Sequence, residues 1–147
     1  MSSHDREDAL SETLHLGMPT VVESAAEHSP YAVIFEDDGK VAYFYGLDTR
    51  LASQPIVDSV HVYNVSNVLD HPTAELDVHK PCAVDIVWSS DQYRVALLLN
   101  GHAHAAFDFA GKRAYCRSNF PSTSEWSIDG HAWDDTAVDF LSGDQRA

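Results

Sequence analysis

The stretch YRVALLLNGHAHAAFDF, residues 93–109, reads as two strands folded back on each other about Asn100-Gly101. Apolar residues recur with period two on both sides of that dipeptide, and Asn-Gly supplies the positive φ angles of a two-residue type I′ turn. Such a turn sets the register. Val95, Leu97, Leu99, His102, His104, Ala106 and Asp108 then share one face, while Arg94, Ala96, Leu98, Ala103, Ala105, Phe107 and Phe109 share the other. The alanines of the second face leave a shallow surface on which another element can settle. A second hairpin, YAVIFEDDGKVAYFYGLD at 31–48, turns at Asp38-Gly39. Its faces are Val33, Phe35, Ala42 and Phe44 on one side and Ile34, Val41, Tyr43 and Tyr45 on the other. Two apolar faces predict a central hairpin covered on both sides.

Outward from these hairpins, the same periodicity predicts strands near 20–24, 31–36, 41–46, 58–65, 83–89, 93–99, 103–109 and 112–116. The segment 66–81, with Pro72 and Pro81, is turn-rich and reads as a long connection. Trp133, Ala137, Phe140 and Leu141 fall at i, i+4, i+7 and i+8, which predicts a helix over 134–141 with Asp134 as its cap. The expected fold is mainly β (α+β): a curved antiparallel sheet or partial barrel of about seven to eight strands with one C-terminal helix. We expect an N-terminal tail at 1–18, a single domain at 19–142 and a short tail at 143–147. Sheet edges left by such a fold make a homodimer feasible.

The chain of 147 residues carries 23 acids against 9 Lys and Arg, a formal charge of −14. That charge repels phosphate backbones, so we expect no nucleic-acid binding. The longest apolar run is Val95–Leu99, too short to span a bilayer, and the charged start MSSHDREDAL lacks the apolar stretch of a signal peptide. A cytoplasmic protein is the resulting expectation. The charge is uneven: residues 1–30 and 125–147 each hold 6 acids and 1 base, and residues 31–124 hold 11 acids and 7 bases. Asp outnumbers Glu by 16 to 7, a bias that a saline host produces as readily as function does. Cys82 and Cys116 have no C-x-x-C spacing and read as reduced, buried thiols; Cys116, beside Arg117, is the more reactive of the two.

Three constellations carry candidate chemistry. His102-x-His104 places two imidazoles on one strand face with Asp108 further along it, a spacing compatible with metal ligation or a small hydrolase. Glu36, Asp37 and Asp38 gather three carboxylates at a turn; the spacing of a calcium loop is absent, so they read as turn formers or as contacts for a basic partner. Tyr31, Tyr43, Tyr45 and Tyr63, with Trp88, suit a ligand groove or sheet packing, and His61 sits two residues from Tyr63. No G-x-S-x-G elbow and no phosphate-binding glycine loop occur, so an enzyme lacks positive support.

The stretches 31–48, DSVHVYNV (58–65), VDIVWSSDQYRVALLLNGHAHAAFDF (84–109) and RAYCRSNFP (113–121) resemble a small bacterial domain-of-unknown-function family, over roughly residues 20–140. Its most specific parts are the FEDDG turn followed by YFY and the N-F-P after the cysteine strand. The resemblance implies a small single-domain bacterial protein and brings no catalytic residue with it.

Together these readings favour a non-enzymatic module that binds a protein of basic surface, an immunity protein or inhibitor being one form of it. Glu36, Asp37, Asp38, Tyr43, Tyr45, His102, His104 and Asp108 are the candidate binding residues. No cofactor and no metal are expected. The alternatives are a small hydrolase or metal-dependent enzyme using His102, His104 and Asp108, and a small-molecule sensor using the tyrosine-bearing face.

Overall fold

A computed structural model describes residues 9–146, with side chains described to residue 142. Among the described residues, nine strands form two antiparallel sheets that face each other. The first contains β1 (Ala9–Leu14), β6 (Cys82–Trp88), β7 (Arg94–Leu99), β8 (His102–Asp108) and β9 (Arg113–Cys116), in that spatial order. The second is the four-stranded meander β2 (Thr20–Ala25), β3 (Tyr31–Asp37), β4 (Val41–Asp48) and β5 (Ile56–Asn64). A short helix, α1 (Val65–Asp70), opens the connection to β6. A 3₁₀ turn at Asp135–Val138 leads into α2 (Asp139–Arg146). The mainly β, antiparallel class with a C-terminal helix is therefore what the chain adopts, divided into two sheets and not closed into a barrel. Ala9–Leu14, assigned to the tail on its mixed composition, pairs along its whole length with β6 as an edge strand. Residues 1–8 lie outside the described residues.

The core lies between the sheets. Val33, Phe35, Ala42 and Phe44 from the first hairpin are wholly buried, as their period-two pattern predicts. Opposite them stand Ile86, Val95, Leu97, Leu99 and Phe107, all buried. The sheets meet at aromatic contacts: Phe44 meets Phe107 edge to face at 5.5 Å, and Tyr31 stacks on Phe109 at 4.2 Å. At Gly46 an added Cβ would lie 2.3 Å from the Phe107 ring, so this glycine creates the space the ring occupies.

The β7–β8 turn has the expected positive φ at both Asn100 (50°) and Gly101 (84°). The register beyond it departs from simple alternation. Leu98 opposes Ala103, but Leu97 opposes Ala105, so His104 is an extra residue in a β-bulge. The bulge exchanges the faces from there on. Ala105 and Phe107 turn into the core beside Leu97 and Val95, while Ala106 and Asp108 turn outward beside Ala96 and Arg94. The C-terminal element settles on the outer surface, but on a different alanine from those expected: Ala106, brought outward as Ala105 turns into the core, packs with Tyr115 against Ala137, Trp133 and Val138. Asp134 caps that element, its Oδ1 accepting the Thr136 amide at 3.0 Å. Arginines hold its flanks, Arg117 lying over the Trp133 ring and Arg94 over the Phe140 ring. Arg117 is thereby drawn toward Trp133 and the Ala103 carbonyl, and Cys116 is fully buried. Cys82 is buried as well, so both are the buried free thiols expected and burial does not single out either as the more reactive.

The segment after β9 crosses to the second sheet and is fastened there by a buried pair. His131, with no exposed surface, places Nε2 2.8 Å from Asp58 Oδ2 and Nδ1 2.6 Å from the Pro121 carbonyl. Ser124 donates to the same Asp58 oxygen at 2.9 Å. Trp126 thereby covers the edge of the Phe107 and Phe109 rings, and Phe120 comes to rest beside β5, where its carbonyl accepts the His61 amide at 2.9 Å. Among the described residues no helix is long and apolar enough to cross a membrane.

Candidate functional site

The outer face of the four-stranded sheet brings together three of the eight candidate binding residues, Glu36, Tyr43 and Tyr45, and adds His61 to them. Antiparallel register places Val21, Glu36, Tyr43 and His61 in one row across the four strands. The neighbouring row is Glu23, Ile34, Tyr45 and Ser59. Each of these side chains is half-buried or exposed. The face is therefore open to solvent, a correction to the expectation that both sides of the hairpin are covered. Its apolar outer residues are not a second core.

Rings meet in sequence along this face. Tyr45 and Tyr43 lie 6.2 Å apart with planes inclined by 22°. Tyr43 meets His61 edge to face at 5.6 Å, and His61 meets Phe120 edge to face at 6.0 Å. Phe120 is 58% exposed, a large apolar ring left in solvent at the end of the ladder. The Tyr45 hydroxyl donates to Glu36 Oε1 at 2.9 Å. Burial, together with that hydrogen bond and the Glu36 charge, pushes the Tyr45 hydroxyl up to about 12, so it stays a neutral donor. The two rows hold two carboxylates and no lysine or arginine.

His61 is oriented from both sides. Its Nδ1 lies 2.8 Å from Ser118 Oγ, and its Nε2 lies 2.9 Å from Asn64 Oδ1. Ser118 Oγ also lies 3.1 Å from the His61 carbonyl, so the serine ties the chain after β9 to β5 at this point. The sequence reading placed His61 beside Tyr63. A bulge prevents this: Tyr43 opposes His61 while Ala42 opposes Tyr63, leaving Val62 as the extra residue. His61 therefore faces outward and Tyr63 inward. Phe120 and Ser118 were not among the candidate residues, although Phe120 belongs to the N-F-P triplet that stood out as specific.

The other candidates disperse. Asp37 is buried and structural, accepting the Tyr63 hydroxyl at 2.6 Å and the amides of Gly17 at 2.7 Å and Gly39 at 2.8 Å. It is not available to a partner. Asp38 accepts the amides of Lys40 and Val41, which hold its carboxyl below the usual carboxylate range, and so closes the turn. Of the three carboxylates at this turn, only Glu36 belongs to the aromatic face. Tyr31 packs on Phe109, and Trp88 lies in the core with its Nε1 donating to Ser24.

His102 and His104 do not meet Asp108. Six residues of strand, about 20 Å, separate His102 from Asp108, and the bulge sends the acid to the Arg94 side. Instead Glu75, from the connection before β6, approaches both rings: Oε2 is 3.3 Å from His102 Nδ1 and Oε1 is 3.7 Å from His104 Nε2. His104 Nε2 is buried without a hydrogen-bond partner. Burial holds this imidazole below its ordinary value against the opposing pull of Glu75. Among the described residues no group of three His, Cys, Asp or Glu side chains is arranged to hold a metal ion. A cleft of about 200 Å³ between β1 and β2 is lined by Glu23 and Trp88 but by none of the eight candidate binding residues, and a shallow groove of about 430 Å³ beside His15 and His79 holds none of them either.

The comparisons with known proteins agree with the resemblance in the sequence. The family described as "Uncharacterized protein conserved in bacteria (DUF2251)" matches residues 14–142. An uncharacterized protein of Haemophilus influenzae is 42% identical over 122 residues, covering 81% of this chain and 70% of that relative. No solved structure matches. With strands β2 to β9 and the 3₁₀ turn inside the matched span, the chain belongs to this bacterial family.

Proposed function

We propose that the protein is a non-enzymatic binding module whose outer four-stranded face takes a partner protein with a basic surface. The observation that supports this is the open row of Tyr45, Tyr43, His61 and Phe120 set beside Glu36 and Glu23. Aromatic residues that leave large rings in solvent are typical binding anchors, and carboxylates without neighbouring bases favour a cationic counterpart. The net charge of −14 acts in the same direction by steering a basic partner toward the molecule. An immunity protein that neutralises a basic toxin is one form of such a module, and the genes beside its coding sequence test that form.

The test is retention of host proteins on the immobilised full chain, with Tyr43→Ala and Phe120→Ala beside it, at low and high salt. We expect one retained species of basic isoelectric point that the purified chain binds directly. Both variants should lose it, and added salt should weaken it as charges become screened within about 10 Å at 0.1 M. A retained species indifferent to both variants and to salt places binding elsewhere on the molecule and refutes the reading.

A further inference from the structure

Within the aromatic face, one acceptor is positioned but unused. Glu36 Oε1 is occupied by the Tyr45 hydroxyl at 2.9 Å, while Oε2 has no donor among the described residues. The carboxylate is thus held in orientation by a neighbouring strand and presents one oxygen to solvent. Tyr43 stands directly across from Glu36, where cross-strand Cβ atoms are about 5 Å apart. Tyr43 and Tyr45 are inclined by only 22°, so a flat group laid on one ring runs nearly parallel to the other.

A planar cation with in-plane donors fits this arrangement. A guanidinium stacks on a tyrosine face while its edge donates to a carboxylate oxygen, and it sheds water more readily than an ammonium. A lysine offers a hydrated point charge that cannot stack, and a neutral side chain leaves the Glu36 charge uncompensated. We infer that the face reads an arginine side chain of its partner, the guanidinium lying on Tyr43 and donating to Glu36 Oε2. This rests on the protein-binding reading above and narrows it to a residue type.

Glu23 extends the recognition. Val21 opposes Glu36, so Glu23, two residues along β2, is its diagonal neighbour at about 7 to 8 Å. Alternate side chains of an extended peptide are about 7 Å apart. An Arg-x-Arg segment laid along the diagonal therefore places its second guanidinium on Glu23. The exposed Val21, beside Glu36 in its row, offers an apolar surface for the arginine stems.

The experiment titrates the isotope-labelled full chain with the acetylated, amidated peptide Gly-Arg-Ser-Arg-Gly and with its Lys-for-Arg counterpart, following amide shifts. The expected result is perturbation centred on Glu36, Tyr43 and Tyr45, with the arginine peptide bound about tenfold more tightly than the lysine peptide. Glu36→Gln and Tyr43→Ala, each checked for an unchanged spectrum elsewhere, should each remove that preference. Equal affinity for the two peptides overturns the inference, as does arginine binding indifferent to Glu36→Gln. If neither peptide perturbs the face while Tyr43→Ala still abolishes capture of a basic protein, the arginine inference fails and the protein-binding reading stands. If capture fails as well, both fall.

Discussion

Replacing Asp58 with alanine should destabilise the protein, and the structure says by how much and why. His131 has no exposed surface, and both its ring nitrogens face acceptor oxygens, Asp58 Oδ2 at 2.8 Å and the Pro121 carbonyl at 2.6 Å. Each ring nitrogen therefore has an oxygen partner, and one of the two is a carboxylate. Removing the carboxylate leaves a ring nitrogen buried without its partner, at a cost of about 1 to 3 kcal/mol. Ser124 loses its acceptor at the same time. A domain of this size has a total stability of about 5 to 15 kcal/mol, so the loss is a measurable fraction of the whole. His131→Ala should cost less, because Ser124 and the Ser59 amide still donate to Asp58 at 2.9 Å. The double variant should be no worse than Asp58→Ala alone, since the second change removes the group the first one stranded. Urea unfolding followed by circular dichroism measures all three, with the slope m checked for constancy. A loss below about 1 kcal/mol for Asp58→Ala, or strict additivity in the double variant, refutes the pairing argument.

Two further perturbations follow from the packing. Gly46→Ala sets a methyl group 2.3 Å from a Phe107 carbon in the centre of the sandwich, which should cost about 1 to 3 kcal/mol by overpacking; Phe107→Leu in the same chain should recover part of it, and no loss in the urea midpoint would mean the sheets yield freely there. For pH, His104 is held below its ordinary 6.5 chiefly by burial, so below that value the unfolded chain takes up a proton that the folded chain refuses. Stability should therefore decline as pH falls beneath 6.5 and level off once the folded imidazole is also protonated; His104→Leu should flatten that part of the acid limb, and an unchanged slope between about pH 7 and pH 5 would show that His104 does not contribute to it.

What the sequence disclosed, and what it concealed, divides along the difference between periodicity and bulges. Period two placed Val33, Phe35, Ala42 and Phe44 in the core, and Asn-Gly placed the β7–β8 turn, because both signals are local. Two sheets in place of one curved sheet was not legible, since which strands pair beyond their hairpins depends on contacts distant in sequence. β1 was hidden for a related reason. ALSETL lies at an edge with one partner strand and mostly exposed side chains, so it carries no apolar alternation to read. The bulges at Val62 and His104 were the decisive omissions. A bulge needs one residue to leave the alternation, and nothing in the composition around either position announces it.

The Val62 bulge is also what gives the candidate site its form. Strict alternation would keep His61 and Tyr63 on one face, either both in the core or both in solvent. With the extra residue, Tyr63 turns inward and donates to buried Asp37, while His61 turns outward into the aromatic row. Asp37 in turn accepts the Gly39 amide of the β3–β4 turn and the Gly17 amide before β2, so three segments of the second sheet are fixed from beneath. Glu36 directly precedes Asp37 and opposes Tyr43, so its backbone is set by that anchor and its carboxylate by Tyr45. The outer face proposed for binding is consequently held in place by contacts within the free chain. Such restraint reduces the ordering cost of binding, the condition under which a few rings and one oriented carboxylate give useful affinity on a flat surface.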